Sequence, residues 1–236
     1  MKIGIVCYPT FGGSGVVATE LGLQLSKSKY EVHFITYKQP VRLEIINSSL
    51  FFHEVNVPDY PLFHYQPYEL ALSSKLVDTV KKYNIELLHV HYAIPHAYAA
   101  YMTKQILQSE NINIPIVTTL HGTDITLVGK HPFYKPAVRF SINNSDFVTS
   151  VSEDLKKETI KLFDVEKNIK VIPNFVDFSK HMNHNKDCDR RFIAGDDEKI
   201  ISHVSNFRKV KRTLDVIDIF YNIQKEINSK LIMVGD

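Results

Sequence analysis

The chain has 236 residues, 44% of them hydrophobic and 23% charged, which is the composition of a folded protein long enough to bury a substantial core. Its 28 basic and 26 acidic residues nearly balance, at a formal net charge of +2, which argues against a broad nucleic-acid surface and leaves only local basic clusters for small anions. Two cysteines, Cys7 and Cys188, are too few for a disulfide framework or a cysteine zinc site, and no apolar run approaches the roughly 18 residues of a membrane span. The first residues, with one lysine and a short apolar run, do not make a secretion signal. The chain therefore reads as soluble and cytoplasmic, with no membrane or nucleic-acid partner. A homo-oligomer is compatible with the sequence but not specified by it.

In chain order, Lys2–Cys7 is predicted as a buried strand, Gly12–Gly15 as a glycine turn and Val16–Ser26 as a helix. Strands follow at Glu31–Tyr37 and Phe51–Val57. A helix at Pro67–Tyr83 is expected to turn Leu70, Leu72, Leu76, Val77 and Val80 inward. Then come a strand at Leu87–His91, a helix at Ala97–Ser109, a strand at Pro115–Leu120, a helix at Pro136–Asn143 and a strand at Phe147–Ser150. A helix at Glu153–Phe163 and a strand at Lys170–Ile172 complete the first run. This alternation predicts an α/β fold with a parallel sheet covered on both faces.

Pro173–Asp177 breaks the pattern, and His181–Asp197 is polar and poor in apolar residues, so 173–198 is read as a linker. The alternation restarts with a strand at Lys199–Val204, a helix at Lys211–Lys225 and a strand at Lys230–Val234. Residues 1–172 then form one Rossmann-like domain, and 199–236 the start of a second one that two strands and a helix cannot complete. The expectation is an incomplete chain.

Ligands in parallel sheets bind beyond the carboxyl ends of the strands. Four segments stand at such ends. Gly12-Gly13-Ser14-Gly15 opens a helix, where backbone N–H groups and the helix dipole suit a diphosphate or carboxylate, although the spacing is not the dinucleotide fingerprint and also describes a plain tight turn. His89 and His91 share one strand face, with Tyr92 at the exit and His96 beyond. A satisfied pair of sheet histidines explains them better than a metal, and Tyr92 can hydrogen-bond a polar substrate. His121 precedes Gly122 at the end of the Pro115–Leu120 strand, a position suited to proton or hydrogen-bond chemistry. Arg208, Lys209, Lys211 and Arg212 lead into the later helix. Cations there oppose the helix dipole, which makes most sense beside a bound anion. A diphosphate held between the glycine turn and this basic strand exit would satisfy both.

The strings Pro9–Val17, His89–Ala97, Leu120–Thr126, Val171–Asp177 and Ser205–Arg212 together resemble the retaining glycosyltransferases of family four, over the whole chain. That resemblance implies the GT-B architecture of two Rossmann-like domains. It also implies transfer of N-acetylglucosamine (GlcNAc) from UDP-GlcNAc to the hydroxyl of L-malate, the first step of bacillithiol synthesis, with anomeric retention and neither metal nor cofactor. By the same resemblance, Gly13 contacts the donor diphosphate, His121 sits beside the transferred sugar, and Arg208 and Lys211 hold the leaving group. Ser14, Tyr92, Thr119 and Asn206 become acceptor-pocket candidates. Lys130, Lys135 and Arg139 are unranked candidates to meet the malate carboxylates. Asn206 departs from the pattern, standing where many members carry an arginine, with Lys211 five residues on and Arg208 as the substitute. The paired glutamates and uridine pocket expected of the family's later half are absent from these 236 residues, so this chain alone is expected to be inactive. A family-four transferase with another acceptor, a UDP-GlcNAc 2-epimerase and a non-enzymatic binding module are the alternatives.

Overall fold

The computed structural model describes residues 1–44, 48–178 and 190–235, so Cys188, the centre of the 173–198 stretch and Asp236 lie outside the described residues. The chain divides into two compact units, Met1–Phe175 and Val176–Asp236.

The first unit is built on β1 (Lys2–Val6), β2 (Glu31–Thr36), β3 (Leu50–Glu54), β4 (Leu87–His91), β5 (Ile116–Leu120), β6 (Phe147–Ser150) and β7 (Ile169–Val171). They pair in the order β3-β2-β1-β4-β5-β6-β7, every neighbour parallel. Five helices connect them: α1 (Ser14–Lys27), α2 (Tyr68–Tyr83), α3 (Tyr98–Ser109), α4 (Lys135–Asn143) and α5 (Glu153–Phe163). Two wide helical turns, Ala93–Ala97 and Thr123–Leu127, follow β4 and β5 and had no counterpart in the sequence pattern.

The strands are apolar throughout because both faces are covered. Side chains alternate along β1: Ile3, Ile5 and Cys7 pack with Ala18 of α1 and Phe34, whereas Val6 belongs to the layer of Leu72 and Leu76 on α2 and Leu107 on α3. A third cluster joins Leu120, Val138, Ile142, Leu155 and Phe163 beneath α4 and α5. One inward assignment on α2 fails. Leu72, Leu76 and Val80 are buried and Val77 is partly so, but Leu70 is 63% exposed. Leu72, Leu76 and Val80 recur every four residues along one stripe, and Leu70, two residues before Leu72, points to the opposite side of the helix.

The second unit contains β8 (Lys199–Val204), α6 (Thr213–Ile223) and β9 (Ser229–Val234), with β8 and β9 parallel and in register from Lys199 opposite Ser229 to Val204 opposite Val234. Its helix begins later than the apolar spacing suggests. Lys209–Lys211 form a separate tight turn, and Arg212 is left-handed at φ 50°, so Lys211 is not helical with α6.

Candidate functional site at the strand exits

Chain order reverses in the sheet between β1 and β4: β2 and β3 lie to one side, β5 to β7 to the other. At such a switch point the loops leaving neighbouring strands diverge and open a crevice. Here the loop after β1 carries the glycines, the loop after β4 carries Tyr92, and the next strand, β5, delivers His121.

The glycine turn is constrained by close approach. A Cβ on Gly15 would stand 2.4 Å from the backbone oxygen of Tyr8, and Gly13 is left-handed at φ 57°. α1 starts at Ser14 with no side-chain cap and no acidic residue in its first turn. By contrast, α5 is capped by the Ser152 hydroxyl, which accepts from Leu155 N at 3.1 Å, and carries Glu153 and Asp154 in its first turn. The start of α1 thus leaves its amide donors and dipole available to an anion.

Across β4 and β5 runs a polar ladder. His89 Nε2 meets the Thr119 hydroxyl at 2.8 Å, and that hydroxyl meets Thr149 at 2.7 Å. His91 Nδ1 meets His121 Nε2 at 2.8 Å, and His96 Nδ1 donates to the His91 carbonyl at 2.5 Å. Tyr92 stacks on the His121 ring at 5.5 Å and meets the Tyr8 ring edge-on at 5.2 Å. Burial pushes His89, His96 and His121 down to about 4 and His91 well below its ordinary value, so all four rings are neutral near pH 7.

Asp124 ties these exits together. One carboxylate oxygen accepts from His121 N at 3.2 Å and Gly122 N at 3.0 Å, and the other accepts from Ala93 N, just past β4, at 3.0 Å. Burial raises its carboxyl to about 6, against the lowering effect of these N–H donors. Beside it lies a cavity of about 710 Å³ lined by Tyr8, Tyr68, Glu69, Tyr92, Asp124 and Tyr134, among others, with no lysine or arginine.

Of the expected site residues, the fold gathers Gly13, Ser14, Tyr92, Thr119 and His121 at the same end of one sheet. Asn206, Arg208 and Lys211 belong to the second unit, at the exit of β8. There Arg208 N donates to the Asn206 carbonyl and Lys211 N to the Arg208 carbonyl, each at 2.8 Å. Arg212 pairs with Asp215 in the first turn of α6, whereas Arg208 and Lys211 are exposed and have no ion pair among the described residues. Two of the three cations expected as acceptor candidates have ion-pair partners: Lys130 pairs with Glu158 at 3.3 Å and Arg139 with Asp164 at 3.0 Å. Lys135 and Arg139 line a separate depression along α4, with Asn143 and Glu166. Among the described residues no group of three or more His, Cys, Asp or Glu side chains is placed to hold a metal ion. No described helix is long and apolar enough to cross a membrane. Sequence reasoning missed Tyr8, Tyr68 and the His91–His121 contact, and gave Asp124, although it lies in the strand-exit segment with His121, no role of its own. The one available signal was an Asp two residues after a glycine at a strand exit, which is where a carboxylate gathers loop N–H groups.

A doubly wound sheet with an anion-ready helix start at its switch point is the frame of a broad class of phosphate- and nucleotide-binding proteins, and comparison with known proteins narrows it. The chain belongs to Glycosyltransferase Family 4, whose family model matches residues 11–180. It is 48% identical over 240 residues to the N-acetyl-alpha-D-glucosaminyl L-malate synthase of Bacillus anthracis, covering 100% of this chain and 61% of that protein's length. Among solved structures it resembles the catalytic domain of starch synthase IV from Arabidopsis thaliana, with a TM-score of 0.70 and 13% identity over 99% of this chain and 68% of that one. It also resembles a glycosyltransferase from Rickettsia africae, with a TM-score of 0.67 and 16% identity over 100% of this chain and 68% of that one. The fold is that of the GT-B glycosyltransferases.

Proposed function

We propose that the protein transfers GlcNAc from UDP-GlcNAc to the hydroxyl of L-malate with retention at the anomeric carbon. The observation that carries this reading is the 48% identity, spread over the whole chain, to the malate synthase of Bacillus anthracis. The strand-exit geometry supports it. The bond from the sugar's anomeric carbon to the diphosphate breaks, and negative charge grows on the leaving oxygen. In the first unit, the amide donors at the start of α1, near Gly13 and Ser14, suit that charge. In the second unit, Arg208 and Lys211, exposed and without an ion pair among the described residues, are cations of the type that suits it. The new bond forms to the malate oxygen on the same face, and the malate hydroxyl proton passes to the departing phosphate oxygen. His121, neutral and at the exit of β5, is placed in this scheme beside the transferred sugar as a hydrogen-bonding group. Tyr92, Thr119 and Asn206 serve the acceptor. The Thr119 hydroxyl already holds His89 and Thr149, so its part is to fix the floor of the site unless one of those bonds opens. Lys135 is the remaining acceptor cation with no ion pair among the described residues. In this reading the reaction is cytoplasmic and involves neither membrane nor nucleic acid.

The test is product identification. The protein, expressed from its full open reading frame, is incubated with UDP-GlcNAc and L-malate, and the mixture is analysed by mass spectrometry. A GlcNAc–malate conjugate is expected. Consumption of UDP-GlcNAc with a different acceptor and no malate conjugate would move the protein to another activity within the family.

A further inference from the structure

Each neutral histidine ring carries one proton, and at the exits of β4 and β5 the surroundings dictate where it sits. His96 Nδ1 faces a carbonyl, which only accepts, so that nitrogen holds the proton. The contact between His91 Nδ1 and His121 Nε2, at 2.8 Å, requires a proton on one nitrogen and a lone pair on the other. Two arrangements satisfy it. If His121 donates from Nε2, then His91 must carry its own proton on its second nitrogen, Nε2. That atom is buried without a hydrogen-bond partner, so an N–H would be stranded there. If His91 donates from Nδ1, its Nε2 keeps only a lone pair. Buried N–H groups without acceptors are rarer than under-used acceptors, so the second arrangement prevails. Neither ring escapes by taking a second proton near pH 7, because burial holds both well below their ordinary value.

We infer that His91 is a positioning residue that donates its Nδ1 proton to His121 and so fixes His121 as the tautomer protonated on Nδ1, a hydrogen-bond donor and not a base. Nδ1 of His121 makes no hydrogen bond among the described residues and is not closed off, so it is the ring atom left to meet a ligand. Two further contacts hold the ring in that orientation: the Tyr92 ring stacks on it, and the Asp124 carboxylate fixes the backbone N–H of His121. For the proposed transfer, on which the catalytic part of this inference rests, a donor suits a sugar hydroxyl or ring oxygen in a step whose proton is taken up by the leaving phosphate. A free base at His121 would compete for that proton.

A long-range ¹H–¹⁵N correlation spectrum of the ¹⁵N-histidine-labelled protein, recorded without substrates near pH 7, reads the tautomer directly. The expected spectrum shows His121 protonated on Nδ1 and bare on Nε2. A proton on Nε2 overturns the inference, whatever the enzyme's substrates prove to be. Two variants separate positioning from packing. His91→Asn places an amide N–H close to where Nδ1 stood, and His91→Leu fills space without donating. The asparagine variant is expected to keep the His121 tautomer and most of the turnover. The leucine variant is expected to lose the single tautomer and about tenfold or more in kcat, with little change in KM. Equal tautomers or equal kcat in the two variants would overturn the positioning role. If malate transfer is absent even in the unmodified protein, the spectrum still decides the tautomer, so the two readings fail separately.

Discussion

Asp124 is a buried carboxylate whose two oxygens take N–H groups from loops on different strands, those of Ala93, His121 and Gly122. Removing it takes the partner from the buried N–H of Ala93 and from the half-buried N–H groups of His121 and Gly122, and a donor stranded out of water costs about 1–3 kcal/mol. Asp124→Ala should therefore destabilise the protein by about 3 kcal/mol or more in denaturant unfolding, and Asp124→Asn, which keeps an oxygen for His121 and Gly122, by clearly less. Equal losses would mean that the carboxylate is not acting as this tie. Lys211 provides the opposite case. It is exposed and makes no ion pair among the described residues, so Lys211→Ala should leave stability within about 0.5 kcal/mol. If it stabilises the leaving diphosphate, the same change should cost about a hundredfold in kcat. Near-normal turnover would remove it from the reaction. His121 was legible in the sequence because a histidine before a glycine at a strand end is a local pattern. Asp124 was not, because its donors come from positions 31 residues apart as well as from its own turn. Tyr8 and Tyr68 were hidden for the same reason: they meet in the cavity only after folding.

Among the elements, strand and helix positions followed from alternation between short apolar runs and helical spacing, and the errors have identifiable causes. The expectation that Leu70 turns inward with Leu72 and Leu76 fails because a helix buries one stripe and Leu70 lies off it. Leu76→Ala should cost about 2–5 kcal/mol, since its side chain is wholly buried between α2 and the sheet, whereas Leu70→Ala should cost under about 0.5 kcal/mol. Comparable losses at both positions, measured by denaturant unfolding, would contradict the stripe. The start of α6 was set too early because Lys209–Lys211 form their own turn, and Asp215, not the cations, supplies the favourable charge in the first turn of α6. Strand order was also beyond the sequence: alternation implies parallel strands but not that β1 and β4 lie side by side, which is what places Gly13 near the exit that carries Tyr92.

For the whole molecule, the buried histidines set the response to acid. His53, His89, His96 and His121 are all pushed to about 4 by burial, below the 6.5 of an unfolded chain. Between those values the unfolded state binds more protons than the folded one, so stability is complete above about pH 6.5 and is lost as pH falls. Asp124 opposes this in part. Its carboxyl, raised from 3.8 to about 6, takes up a proton first in the folded state and restores some stability over the same range. Four histidines outweigh one carboxyl, and the denaturation midpoint should fall between about pH 7 and about pH 5 while staying level from about pH 7 to about pH 8. A midpoint that rises on acidification would contradict the neutral, buried cluster. Three of these histidines, His89, His96 and His121, lie on or just beyond β4 and β5, beside the point where the sheet's connections reverse, whereas His53 lies on the edge strand β3. The chain belongs to Glycosyltransferase Family 4 and spans 61% of the length of its Bacillus anthracis relative. The most direct measurement of the proposed activity is UDP release from UDP-GlcNAc by the protein expressed from its full open reading frame, with and without L-malate. Release that depends on L-malate, matched one for one by loss of UDP-GlcNAc, is the predicted result. UDP release at the same rate with no acceptor present would contradict malate transfer and point to hydrolysis, and conversion of UDP-GlcNAc with no UDP released would point to a 2-epimerase, which alters the sugar and leaves it on UDP.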